Sequence, residues 1–294
     1  MQIFKIKVKP KSARLDRYLQ AQLKDLSRSK IQKLIEEGNI LVNKEASSSG
    51  YKVRSGDLVV FNPPSPKETE IKAEKLPVKV VYEDPDIIVV DKIAGMVVHP
   101  TADHTSGTLV NWLLYHVKEM AKENDIRPGI VHRLDKNTSG LLVVGKNLDA
   151  TENLKKQFAS RRVRKKYLAL VEGKLSKPFG VVKERIGRHP LSFQRFAVQE
   201  EGKEAETDYR VLEDFEKYTL LAVSPKTGRT HQIRVHLSFL GHPIAGDRLY
   251  GAKKAWQRLF LHASSLEFKH PTTGRELKFE SPLPTDLQAF LDKL

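Results

Sequence analysis

The chain contains no cysteine and no long hydrophobic run. Without thiols it can have neither a disulfide framework nor a thiolate metal site. Its longest purely apolar stretches, at residues 87–90 and 141–144, are far shorter than the roughly 20 residues that cross a bilayer. Residues 1–11 alternate apolar residues with lysine and lack the continuous apolar core of a signal peptide. These absences argue against a membrane or disulfide-stapled protein, and we expect a cytoplasmic location.

Acidic residues are also scarce relative to basic ones. The chain has 51 lysines and arginines against 36 aspartates and glutamates, which leaves a net charge of +15. Residues 1–75 hold 16 of the basic residues and 9 of the acidic ones, so the N-terminal part is the more basic per residue. Such a surplus favours a polyanionic partner such as nucleic acid. Charge alone fits a merely solvated basic surface equally well.

The first 61 residues predict a small helical module followed by strands. Apolar residues recur at helical spacing around residues 15–23 and again around 31–35, and the second helix ends at Gly38. Strand-like segments follow at 39–44 and around 51–61, where a turn at 55–57 predicts a strand pair. This order resembles the small S-four-like RNA-binding domain, or alpha-L motif. The cations of its second helix that we expect to bind RNA are Arg28, Lys30 and Lys33.

A proline-rich segment separates this module from the rest of the chain. Residues 62–66 read NPPSP and precede a charged run to residue 75, which forbids a helix. We therefore predict a linker at 62–75 between domains at 1–61 and 76–294, a division that suits a chain of 294 residues. In the second domain strands and helices alternate, so we predict an α+β fold with a mixed, mainly antiparallel sheet flanked by helices. The predicted strands are 79–81, 87–91 and 167–171, and the predicted helices are 108–122, 149–160 and 230–240, the first capped by Thr105 and Ser106 and the second by Asp149.

The segment with most chemical information is residues 131–144, which read VHRLDKNTSGLLVV. Asp135 lies there between basic residues, just before a small polar turn and an apolar strand. Opposite charges nearby keep a carboxylate ionised, as a nucleophile or a base requires. Taken alone, the segment also fits an ordinary loop aspartate that caps the turn.

Five further motifs accompany this segment in a particular order. They are GMVVHP at 95–100, KYLALVEG at 166–173, TGRTHQIRVH at 227–236, HPIAGD at 242–247 and LHA at 261–263. Together they resemble the RluA/RluD-type large-subunit ribosomal RNA pseudouridine synthases over residues 76–294. The resemblance implies the pseudouridine synthase fold, isomerisation of uridine after base flipping, and no cofactor or metal. It also implies ribosomal RNA as the partner. The sequence does not determine the oligomeric state, and we take a monomer as the default.

The same resemblance implies roles for individual residues. Asp135 would be the catalytic carboxylate, acting on the sugar, on the base or as a proton acceptor for a glycal intermediate. Tyr167 would stack on the uracil and help to remove its C5 proton, unless it is only a core aromatic. We assign Arg229 as the cation that pairs with Asp135, although spacing alone cannot separate it from Arg234. Arg133 would fill the space that the flipped nucleotide leaves, or contact phosphate. A run of cations before Tyr167 would bind RNA phosphates through Arg161, Arg162 and Arg164.

Two positions depart from the family pattern, and three other motifs are incomplete. Ile93 stands where members commonly have proline, and Asn137 where an acidic residue is frequent. Residues 140–146 fit the start of a phosphate-binding loop, but Asn147 replaces its Ser or Thr, and the apolar run predicts a buried strand instead. His231 and His236 are five residues apart and cannot easily share a metal. No Gly-x-Ser-x-Gly nucleophile elbow is present.

Rival functions follow from the same features. One is a non-catalytic RNA-binding or ribosome-assembly protein, for which Asp135 would be dispensable. Others are a synthase that acts on transfer RNA, and an RNA-processing hydrolase or base-removing glycosidase. Pseudouridine formation leaves the mass of the RNA unchanged, whereas base loss does not.

Overall fold

The chain forms two compact units, Met1–Glu70 and Ile71–Leu294. The computed structural model describes residues 2–5 (backbone only), 14–23, 26–63, 71–101, 104–118, 120, 128–192, 194–252, 256 and 258–294. Much of the predicted linker, residues 64–70, lies outside these described residues. The predicted domain boundaries at residues 61 and 76 stay a proposal.

The first unit consists of two helices and a four-stranded antiparallel sheet. The helices are α1 (Leu15–Gln22) and α2 (Arg28–Glu36), and the strands are β1 (Gln2–Lys5), β2 (Ile40–Val42), β3 (Glu45–Ala46) and β4 (Leu58–Phe61). The strand order is β1-β4-β2-β3. Apolar residues of both helices are fully buried against the sheet, among them Leu15, Leu19 and Ile31. The helices that the apolar spacing predicts are therefore present.

Both ends of α2 follow local sequence signals. The Ser27 side chain accepts a hydrogen bond from the backbone N–H of Lys30 and caps the first turn. Gly38 follows the helix with φ of +73°, a left-handed conformation that glycine adopts without steric cost.

The strand pair predicted around residues 51–61 is wrong in its first half. Only β4 is a strand there, and it pairs with β1 and β2. The Asp57 carboxylate accepts hydrogen bonds from the Arg54 N–H at 2.7 Å and the Tyr51 hydroxyl at 3.1 Å. These bonds hold residues 51–57 in an irregular turn, so their alternating sequence does not form a strand.

The second unit is built on a nine-stranded sheet with helices on both faces. Its strands are β5 (Lys79–Glu83), β6 (Ile87–Lys92), β7 (Ser139–Gly145), β8 (Arg164–Glu172), β9 (Phe179–Val182), β12 (Thr207–Asp214), β13 (Tyr218–Pro225), β14 (Leu261–Lys269) and β15 (Glu276–Glu280). The order is β5-β6-β7-β14-β8-β13-β12-β9, with β15 paired to β14. Only β7 and β14 run parallel. A mixed, mainly antiparallel sheet is therefore confirmed.

The remaining elements are four α-helices, a separate hairpin and a short 3-10 helix. They are α3 (Leu109–His116), α4 (Leu148–Ala159), α5 (Gln232–Phe239), α6 (Thr285–Leu291), the hairpin of β10 (Ile186–Arg188) and β11 (Phe196–Val198), and the 3-10 helix Arg248–Tyr250. The apolar runs at 87–90 and 141–144 belong to β6 and β7, which are buried on both faces. Alternate residues of these strands contact the core beside α3 and the core beside α4. A strand covered on both faces reads as a continuous apolar run.

Two helices of this unit begin at caps other than the predicted ones. Thr108 caps α3 and forms a capping box with Asn111, in place of Thr105 and Ser106. Asn147 caps α4 by accepting from the Ala150 N–H at 2.8 Å, and it lies two residues before the predicted cap, Asp149. Helix α3 ends at His116, short of the predicted residue 122, and residues 119 and 121–127 lie outside the described part of the chain.

Among the described residues of both units, no helix is long and apolar enough to cross a membrane.

Candidate active site

A cavity of about 540 Å³ lies where β7 begins, beside the middle of β8 and the end of β13. Its walls come from residues 130–135, from β8 and from the loop between β13 and α5. Cavities of a few hundred Å³ are the usual size for small-ligand sites. Asp135, Tyr167, Arg229 and Arg133 all line it, so the structure brings together residues that are far apart in sequence.

Asp135 is the only carboxylate among the described residues that line this cavity. Its side chain is 17% exposed, and its Oδ2 accepts a hydrogen bond of 3.1 Å from Nη1 of Arg234. Nε2 of His231 lies 3.9 Å from the other oxygen, Oδ1. The carboxylate is thus oriented by one guanidinium and still reachable from the cavity, as a reacting group requires.

Arg234, and not Arg229, is the partner of Asp135. The Nε of Arg229 instead donates to the backbone carbonyl of Glu204 at 2.9 Å, and its backbone N–H donates to the Gln232 side chain at 3.0 Å. The prediction that Arg229 pairs with Asp135 is wrong. The reason is the start of α5: Arg229 precedes the helix and turns towards residue 204, whereas Arg234 lies in its first turn and faces the cavity.

A second carboxylate holds Arg234 from behind. Asp247, whose side chain is 1% exposed, accepts from Nε at 2.7 Å and from Nη2 at 2.9 Å. The guanidinium also lies 4.9 Å from the centre of the Tyr250 ring. Burial alone would lower the pKa of Arg234, but Asp247 and Asp135 raise it above its usual value. The arginine therefore carries a fixed charge at the site.

His231 and Tyr250 form a neutral pair on the other side of Asp135. The Tyr250 hydroxyl accepts from the Phe196 N–H at 2.9 Å and lies 2.8 Å from Nδ1 of His231. One hydrogen bond thus links Tyr250 to Nδ1 of His231, and the other ring nitrogen, Nε2, faces Asp135. Burial lowers the pKa of His231, although the charge of Asp135 raises it. His231 has a φ of 56°, a strained value typical of functional residues.

Tyr167 reaches the cavity from the buried side of β8. Burial and the charge of Asp135 both raise the pKa of its phenol, so the hydroxyl keeps its proton. No described residue forms a hydrogen bond with this hydroxyl. The ring is therefore available to a base in the cavity, and the hydroxyl is available as a donor.

Lys92 holds the loop that carries Asp135. This residue is 1% exposed, and its Nζ donates to the carbonyls of Ile93, Met96 and Lys136 at 2.9, 3.0 and 3.2 Å. Burial lowers the pKa of Lys92 to about 7, while the charge of Asp135 raises it. The three hydrogen bonds tie the loop after β6 to the residue that follows Asp135. Ile93, which stands where family members commonly have proline, is 48% exposed and is not part of the buried core.

The neighbours of Asp135 in sequence point in different directions. Nε2 of His132 accepts from the Val143 N–H at 3.0 Å, and its ring stacks on Phe158 at 4.5 Å. Burial lowers the pKa of His132 to about 3, so this histidine is neutral and anchors the loop to β7. Arg133, in contrast, is exposed at the wall of the cavity.

The remaining predicted RNA-binding cations lie on the surface in both units. Arg161 is exposed and lines the cavity, whereas Arg162 and Arg164 are exposed outside its wall. Arg164 pairs with Glu267 at 3.0 Å. In the first unit Lys30 and Lys33 are exposed on α2.

Arg28 differs from the other predicted RNA-binding cations because a buried carboxylate holds it. Its Nη2 pairs with Asp16 at 2.9 Å, and the Asp16 side chain is fully buried. Arg14 and Gln32 also donate to this carboxylate. Burial alone would raise the pKa of Asp16, but these hydrogen bonds hold it well below its usual range.

Four residues of the site were missed from the sequence: Lys92, His231, Asp247 and Tyr250. Asp247 and His231 stand inside motifs that carry the family resemblance, which was the only available signal for them. Lys92 looked like one of many surface lysines. Tyr250 belongs to none of the motifs, and its contact with Arg234 depends on the 3-10 helix after Asp247.

Comparison with known proteins gives two family matches. The RNA pseudouridylate synthase family matches residues 86–239, and the S4 domain matches residues 13–59. The chain is 45% identical to an uncharacterized RNA pseudouridine synthase of Aquifex aeolicus, over 96% of this chain and 94% of that protein. It is also 45% identical to the ribosomal large subunit pseudouridine synthase D of Nitrosomonas europaea, over 96% and 84%.

A solved structure supports the same fold. The human RNA pseudouridylate synthase domain containing 1 is 31% identical and superposes with a TM-score of 0.59, over 70% of this chain and 84% of that one.

Proposed function

This chain belongs to the RNA pseudouridylate synthase family, and on that premise we propose that it isomerises specific uridines of large-subunit (23S-type) ribosomal RNA. A pseudouridine synthase is an isomerase. The choice of ribosomal RNA is supported by the likeness to the Nitrosomonas europaea protein, whose name specifies the large ribosomal subunit, and by the S4 domain. Transfer RNA is the alternative substrate. The proposal keeps the monomeric state and cytoplasmic location expected from the sequence.

The observation that carries the chemical proposal is the oriented carboxylate in the cavity. The reaction breaks the bond between uracil N1 and ribose C1′, forms a bond from C5 to C1′, and moves one proton from C5 to N1. We assign Asp135 as the catalytic group, either as nucleophile towards the sugar or base or as proton acceptor for a glycal. Arg234 orients the carboxylate through one hydrogen bond, and Asp247 fixes Arg234 in turn.

Access to a paired uridine requires the nucleotide to leave the RNA helix. Arg133 is exposed beside Asp135 and supplies a long cationic side chain that can occupy the vacated space. Tyr167 presents its ring and its protonated hydroxyl to the same cavity. We propose that the ring stacks on the flipped uracil. Because the phenol is protonated, its contribution to the loss of the C5 proton would need an acceptor such as Asp135.

Tritium release from RNA labelled at uridine C5 tests this function. Precursor large-subunit ribosomal RNA is incubated with wild-type protein, with Asp135→Asn and with Asp149→Asn, an exposed acidic control outside the cavity wall. We expect release by the wild type and by the control, and none by Asp135→Asn, with unchanged RNA mass. Tight binding without release from ribosomal or transfer RNA would instead support the non-catalytic RNA-binding protein. Loss of RNA mass would support a glycosidase.

A further inference from the structure

The described residues that line the cavity include six lysines and arginines but a single carboxylate, Asp135. Arg234 is paired with Asp135 and Asp247, and Lys226 is paired with Asp208 at 3.0 Å. The other cations that line the cavity form no ion pair with a carboxylate of the described chain. They are Arg133, Arg161, Lys165 and Arg229. A concave wall with unpaired cations concentrates positive potential and attracts an anion.

Lys165 is partly buried, whereas Arg133 and Arg161 are exposed, and its ammonium lacks the short hydrogen bond that Arg229 forms with the Glu204 carbonyl. It lies on β8 two residues before Tyr167, and residues two apart on a strand share a face. Both side chains therefore enter the cavity from the same side of the sheet. The next residue, Lys166, lies on the opposite face and is exposed.

The ammonium group of Lys165 has unused hydrogen-bonding capacity. It carries three N–H donors, and within the described part of the chain its one hydrogen bond is a long contact of 3.4 Å with the Thr227 carbonyl. Burial lowers the pKa of Lys165 to about 8. A buried cation with open donors and no counter-ion is costly in the free protein, and a bound anion would relieve that cost.

The neighbouring groove provides a contrast. Lys183 and Arg185 line a smaller hollow that shares Arg161 and Thr227 with the cavity. There, however, Lys183 pairs with Glu206 at 3.4 Å and Arg185 with Glu204 at 3.6 Å. Unlike Lys165, these two cations therefore each have a carboxylate partner.

We propose that Lys165 binds a backbone phosphate of the substrate RNA at the flipped nucleotide, and so positions that nucleotide against Asp135. This inference rests on the proposed function and names a substrate-binding residue that acts beside the reacting groups. A phosphate is favoured over a uracil carbonyl because it supplies the missing counter-charge, and RNA carries one at every nucleotide. In charge-assisted pairs with phosphate, lysine acts as a point charge and needs no fixed approach angle.

The test compares Lys165→Met with Lys166→Met, a matched change one residue away on the other face of β8. Binding of unmodified, in vitro transcribed large-subunit ribosomal RNA is measured over a range of salt concentrations. Log K falls as log salt rises, and each lost phosphate contact makes this negative slope shallower by roughly 0.7 to 0.9. We expect Lys165→Met to make the slope shallower by about that amount and to weaken binding about tenfold. Lys166→Met should leave the slope unchanged, and Lys165→Arg should restore it.

Three results would overturn the proposal. One is an unchanged slope in Lys165→Met, including the case in which tritium release falls, because that pattern indicates a contact with the uncharged base. Another is an equal fall in both methionine variants, which would indicate general surface attraction. The third is failure of Lys165→Arg to restore the slope. Because binding is measured separately from tritium release, a wild type that binds but releases nothing would refute the proposed function and still decide the role of Lys165.

Discussion

At the scale of single residues, the site depends on one arginine that two carboxylates share. Asp247 is buried and cannot leave Arg234, whereas Asp135 is partly exposed and bound by a single nitrogen. The strong bidentate pair therefore fixes the guanidinium, and the weaker contact leaves one oxygen of Asp135 for chemistry. This division explains why a second acidic residue behind the site matters although it lies outside the cavity wall.

Replacement of Arg234 by lysine is expected to reduce the rate of the chemical step. Lysine cannot form the planar, bidentate contact with Asp247 and reach Asp135 at the same time. We expect Arg234→Lys to lower kcat about 100-fold in the tritium-release assay, which corresponds to about 3 kcal/mol of transition-state stabilisation. The matched change Arg229→Lys should leave kcat within roughly twofold. A larger loss in Arg229→Lys than in Arg234→Lys would contradict the assignment.

At the scale of elements, the parallel pairing of β7 with β14 positions the loop that carries Asp135. β7 begins four residues after Asp135, and its first residues, Ser139 and Gly140, pair with His262 and Ala263. Gly140 has a φ of +115°, and an added Cβ would overlap the backbone of Ala263. The glycine is therefore required by the close approach of two strands directly after the catalytic loop.

Gly140→Ala is expected to destabilise the second unit and to displace Asp135. A clash with backbone atoms adds to the strain of positive φ, so we expect a loss of about 3 kcal/mol in the free energy of unfolding. Gly274→Ala is the control, because Gly274 also has positive φ but has open space around its Cα; we expect a loss of about 1 kcal/mol there. Urea unfolding followed by tryptophan fluorescence measures this unit, since both tryptophans, Trp112 and Trp256, belong to it. Equal losses in the two variants would refute the role of the close approach.

The helices and strands show which parts of the fold apolar periodicity predicts and which it does not. Strands with continuous apolar runs and helices with apolar spacing were predicted because burial leaves a periodic pattern. The strand predicted at 51–57 does not form, because the Asp57 carboxylate accepts hydrogen bonds from within that segment. The spacing of apolar residues does not reveal such bonds. The prediction that Arg229 pairs with Asp135 is wrong because the residue that faces the cavity depends on where α5 begins. Asp247 and Tyr250 could not be assigned, since their roles arise from contacts with Arg234 across the fold.

At the scale of the whole molecule, each unit has its own group of cations: exposed lysines on α2 in the first unit, and cations at the cavity wall in the second. The first unit presents exposed lysines on α2, while its buried Asp16 engages Arg28. The second unit places four cations that have no carboxylate partner among the described residues at the wall of the cavity. Arg28 thus stabilises the helix pair, and Lys30 and Lys33 remain the cations of that helix with exposed charge.

Charge reversal at Lys30 and Lys33 is expected to weaken RNA binding without changing the chemical step. We expect Lys30→Glu combined with Lys33→Glu to raise KM for large-subunit ribosomal RNA about tenfold or more at low salt, with kcat unchanged. The control is Lys174→Glu with Lys217→Glu, two exposed lysines of the second unit outside the cavity wall. An equal rise in KM for the control pair would show that total charge, and not the surface of α2, governs binding.

The position of β14 in the sheet sets the order in which parts of the second unit can fold during translation. This strand lies between β7 and β8, yet its His262 is 123 residues later in sequence than Ser139, its hydrogen-bond partner in β7. Until the ribosome has released residues 261–269, β7 and β8 have unpaired edges at the centre of the unit, where exposed edges promote aggregation. The described strands of the first unit pair among themselves within residues 2–61, so all of these partners leave the ribosome early. The cavity around Asp135, in contrast, can be completed only after Leu261, one of its lining residues, has been translated.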